Sequence, residues 1–279
     1  MAAQIVTLNP FQNVVAAGTA ICDLRNLFGY TIERLCLQLG GTFTKSMITS
    51  ILLKANGKVI FDSTGSATDA RNAFRGIIAN AGFLTIDFLE LRARSKLGMV
   101  GGSLDTSQGI KDLRLEVTVA GATAPTLIGY AEVTTPQTGP EYANLAPLVA
   151  RVHRITQSIA GAGTFPVQVP HLDPNSGGSL FKRIALLSTT ATGVRVERNG
   201  IREFEVLSTA YNNFRQAEYG RVAQAGLFMA DFIEDGLMED RLLDTRPAAN
   251  CNTANMFATF SGAETITVEV EVLEPLGVY

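Results

Sequence analysis

The sequence predicts an all-β protein with short helices, built as two tandem eight-stranded jelly rolls. Three observations carry that prediction. First, Asn56-Gly57 and Asn199-Gly200 each sit between two apolar-rich runs, Ile51–Phe61 and Val194–Phe204. Asn-Gly favours a two-residue hairpin turn because both turn residues need positive φ. Second, the segments after each hairpin recur in order. Asn72-Ala-Phe74-Arg75 answers to Asn212-Asn-Phe214-Arg215, Asp87-Phe-Leu-Glu90 to Asp231-Phe-Ile-Glu234, and Leu104-Asp-Thr106 to Leu243-Asp-Thr245. Ordered matches at similar offsets indicate a duplicated module, with loops absorbing the drift. Third, the short alternating runs are joined by loops of Greek-key length and interrupted by a helical segment after each hairpin. This fits paired four-stranded sheets better than an immunoglobulin-like sandwich.

Taken in order, residues 1–12 read as an extended N-terminal arm ending at Asn9-Pro10, since the proline biases Asn9 away from helix. The first jelly roll is expected over 13–135. Val14 to Leu24 reads as its first strand. In Tyr30 to Leu39, the face carrying Leu35, Leu37 and Leu39 is the expected core face. The Asn-Gly hairpin comes next. Ser66 to Ala79 then turns helical, with Ser66 or Thr68 as cap and Ala73, Phe74, Ile77 and Ile78 as an apolar stripe. Strands return at Phe83–Leu91, Leu113–Val119 and Thr126–Val133, and a short segment near Leu91–Leu97 completes eight.

The polar, proline-bearing run Thr134–Pro140 marks a boundary. Residues 136–160 are expected to form a linker with a short helix near Tyr142–Arg154, and 161–279 the second jelly roll. Thr164–Val169 is its expected first strand, and Ser208 caps its helix. In the last strand Ile266, Val268, Val270 and Val272 alternate with Thr267, Glu269 and Glu271, which predicts one buried and one wet face.

Composition narrows the function. The net charge of −3 does not provide the basic face that general nucleic-acid binding needs. Only 18% of residues are charged, below the usual quarter, which points to extensive subunit contact or a large interior. The N-terminus has no secretory signature, and no apolar run reaches membrane-spanning length. Cys22 and Cys36 lie in strand-like runs and read as buried, while Cys251 lies in a polar loop and reads as exposed. Without CxxC or Cys/His spacing, neither a disulfide framework nor a zinc site is predicted.

Candidates for chemistry are few. His153 reads as a surface residue of the linker helix and His171 as a loop residue. Gly161-Ala-Gly163-Thr lacks the lysine of a phosphate-binding loop. Asp173-Pro-Asn175 lacks the spacing of a calcium loop and reads as a turn, which leaves a structural calcium ion unsupported. Arg92, Arg94 and Lys96 form the most basic cluster and read as a solvated segment. The acids Asp105, Asp244 and Glu264 form no convergent set. No catalytic, cofactor-binding or metal residue is therefore assigned, and the protein is read as a non-enzyme without cofactors.

The second half also resembles the major capsid proteins of corticoviruses, tailless icosahedral phages with an internal membrane. The resemblance is carried by Arg183-Ile-Ala185, the Asn199-Gly200 hairpin, Glu218-Tyr-Gly-Arg221, Asp231-Phe232 and the closing strand Thr265–Val272. It covers roughly 180–273, and the first half departs from the pattern in its loop lengths. It implies a double jelly-roll coat protein, made in the host cytoplasm and located in the virion. Its homotrimers would have a six-cornered outline and tile a shell around a lipid membrane. The implied partners are further copies of the chain, minor capsid, vertex and membrane proteins, and the lipid surface. Two other readings are a carbohydrate-binding pair of jelly rolls and a glycan-processing enzyme. The latter needs paired acids in a cleft.

Overall fold

The computed structural model describes residues 4–107, 109–136 and 148–275. They divide into two compact units: residues up to Asn72 with Ile78–Ala150, and Ala73–Ile77 with Arg151–Glu274.

The first unit runs β1 Gln4–Thr7, β2 Ala17–Asp23, β3 Thr31–Gly40, β4 Ile48–Ala55, β5 Lys58–Ser63, α1 Gly65–Phe74, β6 Phe83–Asp87, α2 Lys96–Val100, β7 Leu104–Asp105, β8 Leu113–Ala120 and β9 Thr126–Thr134. One sheet has the order β1-β9-β3-β6, with β7 also on β3, and the other β5-β4-β8-β2. The second unit runs β10 Leu148–Ile159, β11 Gly163–Val167, β12 Leu180–Leu187, β13 Ala191–Arg198, β14 Ile201–Val206, α3 Thr209–Glu218, β15 Leu227–Asp231, α4 Met238–Arg241, β16 Leu243–Asp244, β17 Ala254–Phe260 and β18 Glu264–Pro275. Its sheets are β15-β12-β18-β10 and β11-β17-β13-β14. Each unit is a jelly roll: with the two-residue β7 and β16 set aside, its eight strands in chain order place one, eight, three and six in one sheet, and two, seven, four and five in the other.

Both expected hairpins form, each followed by its expected helix, and the structure shows why Asn-Gly recurs. Asn56 and Asn199 hold φ of +49° and +52°, as the turn requires. Each side chain also clamps the loop entering a later strand. Asn56 Oδ1 accepts from the N–H groups of Lys111 (2.7 Å) and Asp112 (3.1 Å), and its Nδ2 donates to Gly109 O. Asn199 Oδ1 accepts from Asn252 (2.7 Å) and Thr253 (3.1 Å), and its Nδ2 donates to Asn250 O. Thr64, not Ser66 or Thr68, caps α1, through an N–H from Ala67 (3.1 Å). Ser208 caps α3 as expected. Both helices end before a left-handed glycine, Gly76 and Gly220.

The two elements that sequence pattern misread turn out to be the same element. The expected arm contains β1, which pairs with β9 from Gln4↔Val133 to Thr7↔Tyr130. The expected linker helix near Tyr142–Arg154 is overwritten by β10 from Leu148 onward, while residues 137–147 lie outside the described residues. Both are the first strand of their roll, so the runs at Val14–Leu24 and Thr164–Val169 hold second strands. A four-residue strand and one following a proline-interrupted run carry too little alternation to stand out. The segment near Leu91–Leu97 is a turn leading into α2, and β1 supplies the eighth strand instead.

In β3 the register shifts between Ile32 and Arg34, so Ile32 joins Leu35, Leu37 and Leu39 in the core. The second core includes Phe181, Ile184, Val196, Phe260, Ile266, Val268 and Val270. Two expectations of exposure fail: Cys251 is buried, and so are Glu269 and Glu271 on the face of β18 expected to be wet.

Candidate assembly surface

The repeated sequence builds a repeated ion-pair device. In the first roll Arg34 on β3 reaches Asp87 at the end of β6 (3.1 Å) and Glu132 on β9 (3.4 Å). In the second, Arg183 on β12 reaches Asp231 at the end of β15 (3.1 Å) and Glu271 on β18 (2.9 Å). Both aspartates also accept the N–H two residues on, from Leu89 and Ile233. The second roll adds Arg221, whose Nε lies 2.9 Å from Asp231 Oδ2. Gly220 turns the chain out of α3, and Arg221 folds under it to pair with this aspartate. A buried carboxylate between two guanidiniums is tolerated because the charges are matched, Arg183 and Arg221 against Asp231 and Glu271, and losing one member would unbalance the rest.

Helix α3 sits above this network the wrong way round for an ordinary amphipathic helix. It buries Asn212 and Gln216, whose amide groups both donate to Met229 O (3.0 and 2.8 Å). It exposes Tyr211 (59%) and Phe214 (64%), with Leu207, Tyr219 and Val222 exposed nearby. Asn72 in the first unit makes the matching bond to Thr85 O (2.6 Å), but Phe74, the counterpart of Phe214 and grouped with the second unit, is only 2% exposed. An aromatic face held outward by a polar inner face has the composition of a contact surface.

Beside α3 a cleft of about 460 Å³ is lined by Arg198, Glu203, Arg215, Glu234, Asp235 and Arg241, among others. These charges pair off: Arg198 with Glu203, Arg241 with Asp235, and Arg215 with Glu234. Burial pushes the Glu234 carboxyl up to about 7, helped by Asp231 and Asp235 and opposed by Arg215 and Arg221.

The remaining sequence candidates fall into place as structure. Asp105 and Asp244 each accept an N–H two residues on, from Ser107 and Arg246. Thr106 and Thr245 donate their N–H groups to Tyr30 O and Ser179 O, so the repeated Leu-Asp-Thr is a repeated turn. Glu264 is held by Ser188 and Thr189. Asp173 caps a one-turn helix through Asn175 N–H. Arg92 and Arg94 are exposed in the turn before α2. His171 lies in a loop as expected, but His153 is not the surface residue of a linker helix. His153 is largely buried on β10, and its ring centroid is 4.3 Å from that of His171. The sequence interval between them concealed this, because a loop returns to the strand.

Two family models together span most of the chain: the viral coat protein P2 N-terminal domain over residues 5–134 and the C-terminal domain over 149–276. The chain belongs to the viral coat protein P2 family. It is a structural protein of a viral capsid, and its site in the virion is the coat. The fold is similar to that of the major capsid protein P2 from bacteriophage PM2, with TM-score 0.80 and 16% identity, over 98% of this chain and 97% of that one. It is also similar to a protein in the atomic structure of Sulfolobus turreted icosahedral virus (TM-score 0.68, 13% identity, 97% and 90% covered). A third likeness is to the PBCV-1 virus capsid (TM-score 0.61, 11% identity, 98% and 93% covered). No curated protein sequence matches. The coat-protein resemblance in the sequence and its double jelly-roll fold are thus both borne out.

Proposed function

We propose that this coat protein is a major capsid protein that forms homotrimers of pseudo-hexagonal outline, which tile an icosahedral shell around an internal lipid membrane. The carrying observation is the unequal pair Phe74 and Phe214. They occupy equivalent helical positions, yet one is buried and the other 64% exposed. In a closed ring of three chains the two kinds of roll alternate, so the second roll's outward face meets a second copy of the chain. Tyr211 and Phe214 are then buried by that copy, as aromatic anchors are in stable interfaces. Contacts between trimers, and with minor capsid, vertex and membrane proteins, complete the shell. Each contact is weak and becomes strong by repetition. Synthesis in the host cytoplasm, from which subunits reach the assembling particle, belongs to the same reading.

Light scattering after size exclusion tests it. The expected mass is three times 29.8 kDa. Phe214→Glu is expected to shift the protein to monomer while leaving its circular dichroism unchanged, because the side chain is exposed within the chain. A monomeric wild type, or a Phe214→Glu trimer of unchanged stability, overturns the reading.

A further inference from the structure

Three ligand-bearing side chains converge inside the second roll and take no part in the assembly surface. His153 lies on β10, His171 in the loop after β11, and Glu274 near the end of β18. One ligand atom from each lies within 4.8 Å of the other two. His153 Nε2 is 3.6 Å from Glu274 Oε2, and His171 Nδ1 is 3.5 Å from Glu274 Oε1. A tetrahedral ion with bonds of about 2.0–2.2 Å spaces its ligand atoms about 3.4 Å apart. Each imidazole thus lies near that spacing from one of the two carboxylate oxygens of Glu274.

The surroundings suit ligands. Ser179 Oγ donates to Glu274 Oε1 (2.6 Å), and Arg151 Nη1 donates to Oε2, leaving lone pairs on a carboxylate that has about four acceptor sites. Such outer partners orient metal ligands. His153 Nε2 is buried with no hydrogen-bond partner. His171 holds φ at +60°, an uncommon conformation for a side-chain-bearing residue and one that needs its surroundings to hold it.

We propose that His153, His171 and Glu274 bind one divalent transition-metal ion of the zinc class in each chain. Two imidazoles and one carboxylate suit zinc, cobalt or nickel, whereas calcium and magnesium take oxygen shells. The ion ties β10 and β18 to the loop that carries His171, and stabilises the folded roll by binding it in preference to the unfolded chain. Three protein ligands leave a fourth position for water on the side where His171 is 39% exposed.

The test is calorimetric titration of zinc chloride into tag-free, EDTA-treated and dialysed full-length protein, with thermal scans before and after. One ion per chain and a raised Tm are expected, with no comparable binding of calcium chloride. His171→Ala should weaken zinc binding by about 100-fold or more, and Ser179→Ala, which keeps all three ligands, by roughly 10-fold. Absence of zinc binding, or equal binding by His171→Ala, overturns the proposal. Cobalt chloride added to the wild type gives a reading that needs no variant. Intense tetrahedral visible bands support the site, and a pale octahedral spectrum refutes it.

Discussion

The two rolls use the same ion-pair device at different depths. Arg34 retains 19% of its side-chain exposure, while Arg183 is wholly buried and shares Asp231 with a second guanidinium, Arg221. In the first roll water still solvates the cation, so the aspartate is one of several ways to satisfy it. In the second, no solvent is available, and each charge depends on the others. Duplication has thus copied the geometry of the contact without copying its energetic weight, because burial sets the dielectric in which the same pair acts.

Substitution of the two aspartates would break the comparison most directly. Asp231→Ala should destabilise the second roll by about 3–5 kcal/mol, because it removes the carboxylate that two fully buried guanidiniums share, at a depth where water cannot replace it. Asp87→Ala should cost about 2 kcal/mol, since Arg34 keeps Glu132 and access to water. Scanning calorimetry of both variants checks this, and equal losses would show that depth does not matter. The hairpin asparagines offer the converse. Asn56→Ala and Asn199→Ala should cost about 2 kcal/mol each, because each strands two N–H groups and strains a turn that needs positive φ. Unequal losses by denaturant titration would mean that the rolls differ here too.

The last effect is one of pH. The Glu234 carboxyl rises from the ordinary 4.5 to about 7 in the folded chain. The folded state therefore holds this proton more tightly than the unfolded one. The associated stability is fully present below about 4.5 and is lost as pH rises through 7. Glu234→Gln should flatten the decline in stability between pH 5 and 8 measured by chemical denaturation. An unchanged slope would place the titration elsewhere.

Legibility followed local pattern strength. The Asn-Gly turns, the Ser208 cap and the strict alternation of β18 could be read directly, because each is specified by residues within one turn or one strand. The first strands could not. Gln4–Thr7 is four residues long and mostly exposed, and acquires its identity by pairing with β9, over 120 residues away. The second helix was legible from its Ser208 cap, but a cap places a helix without saying which face is covered. Tyr211 and Phe214 point outward because Asn212 and Gln216 have a carbonyl, Met229 O, to satisfy on the inner side. Glu269 and Glu271 alternate like solvent-facing residues, and the burial of Glu271 becomes acceptable through Arg183 on the neighbouring strand.

By itself the sequence determined that the chain is duplicated, that each copy is a β-rich roll with a hairpin and a helix in fixed succession, and which coat-protein family it resembles. Those properties reside in periodicity, turn chemistry and repeated motifs, which act over a few residues at a time. Only the tertiary structure decided which acids are buried, that Asp231 serves two arginines, that two histidines from different elements meet at Glu274, and which helix face is left for a neighbour. Those are properties of distance and dielectric, and they arise when the fold brings remote residues together and removes water from around them.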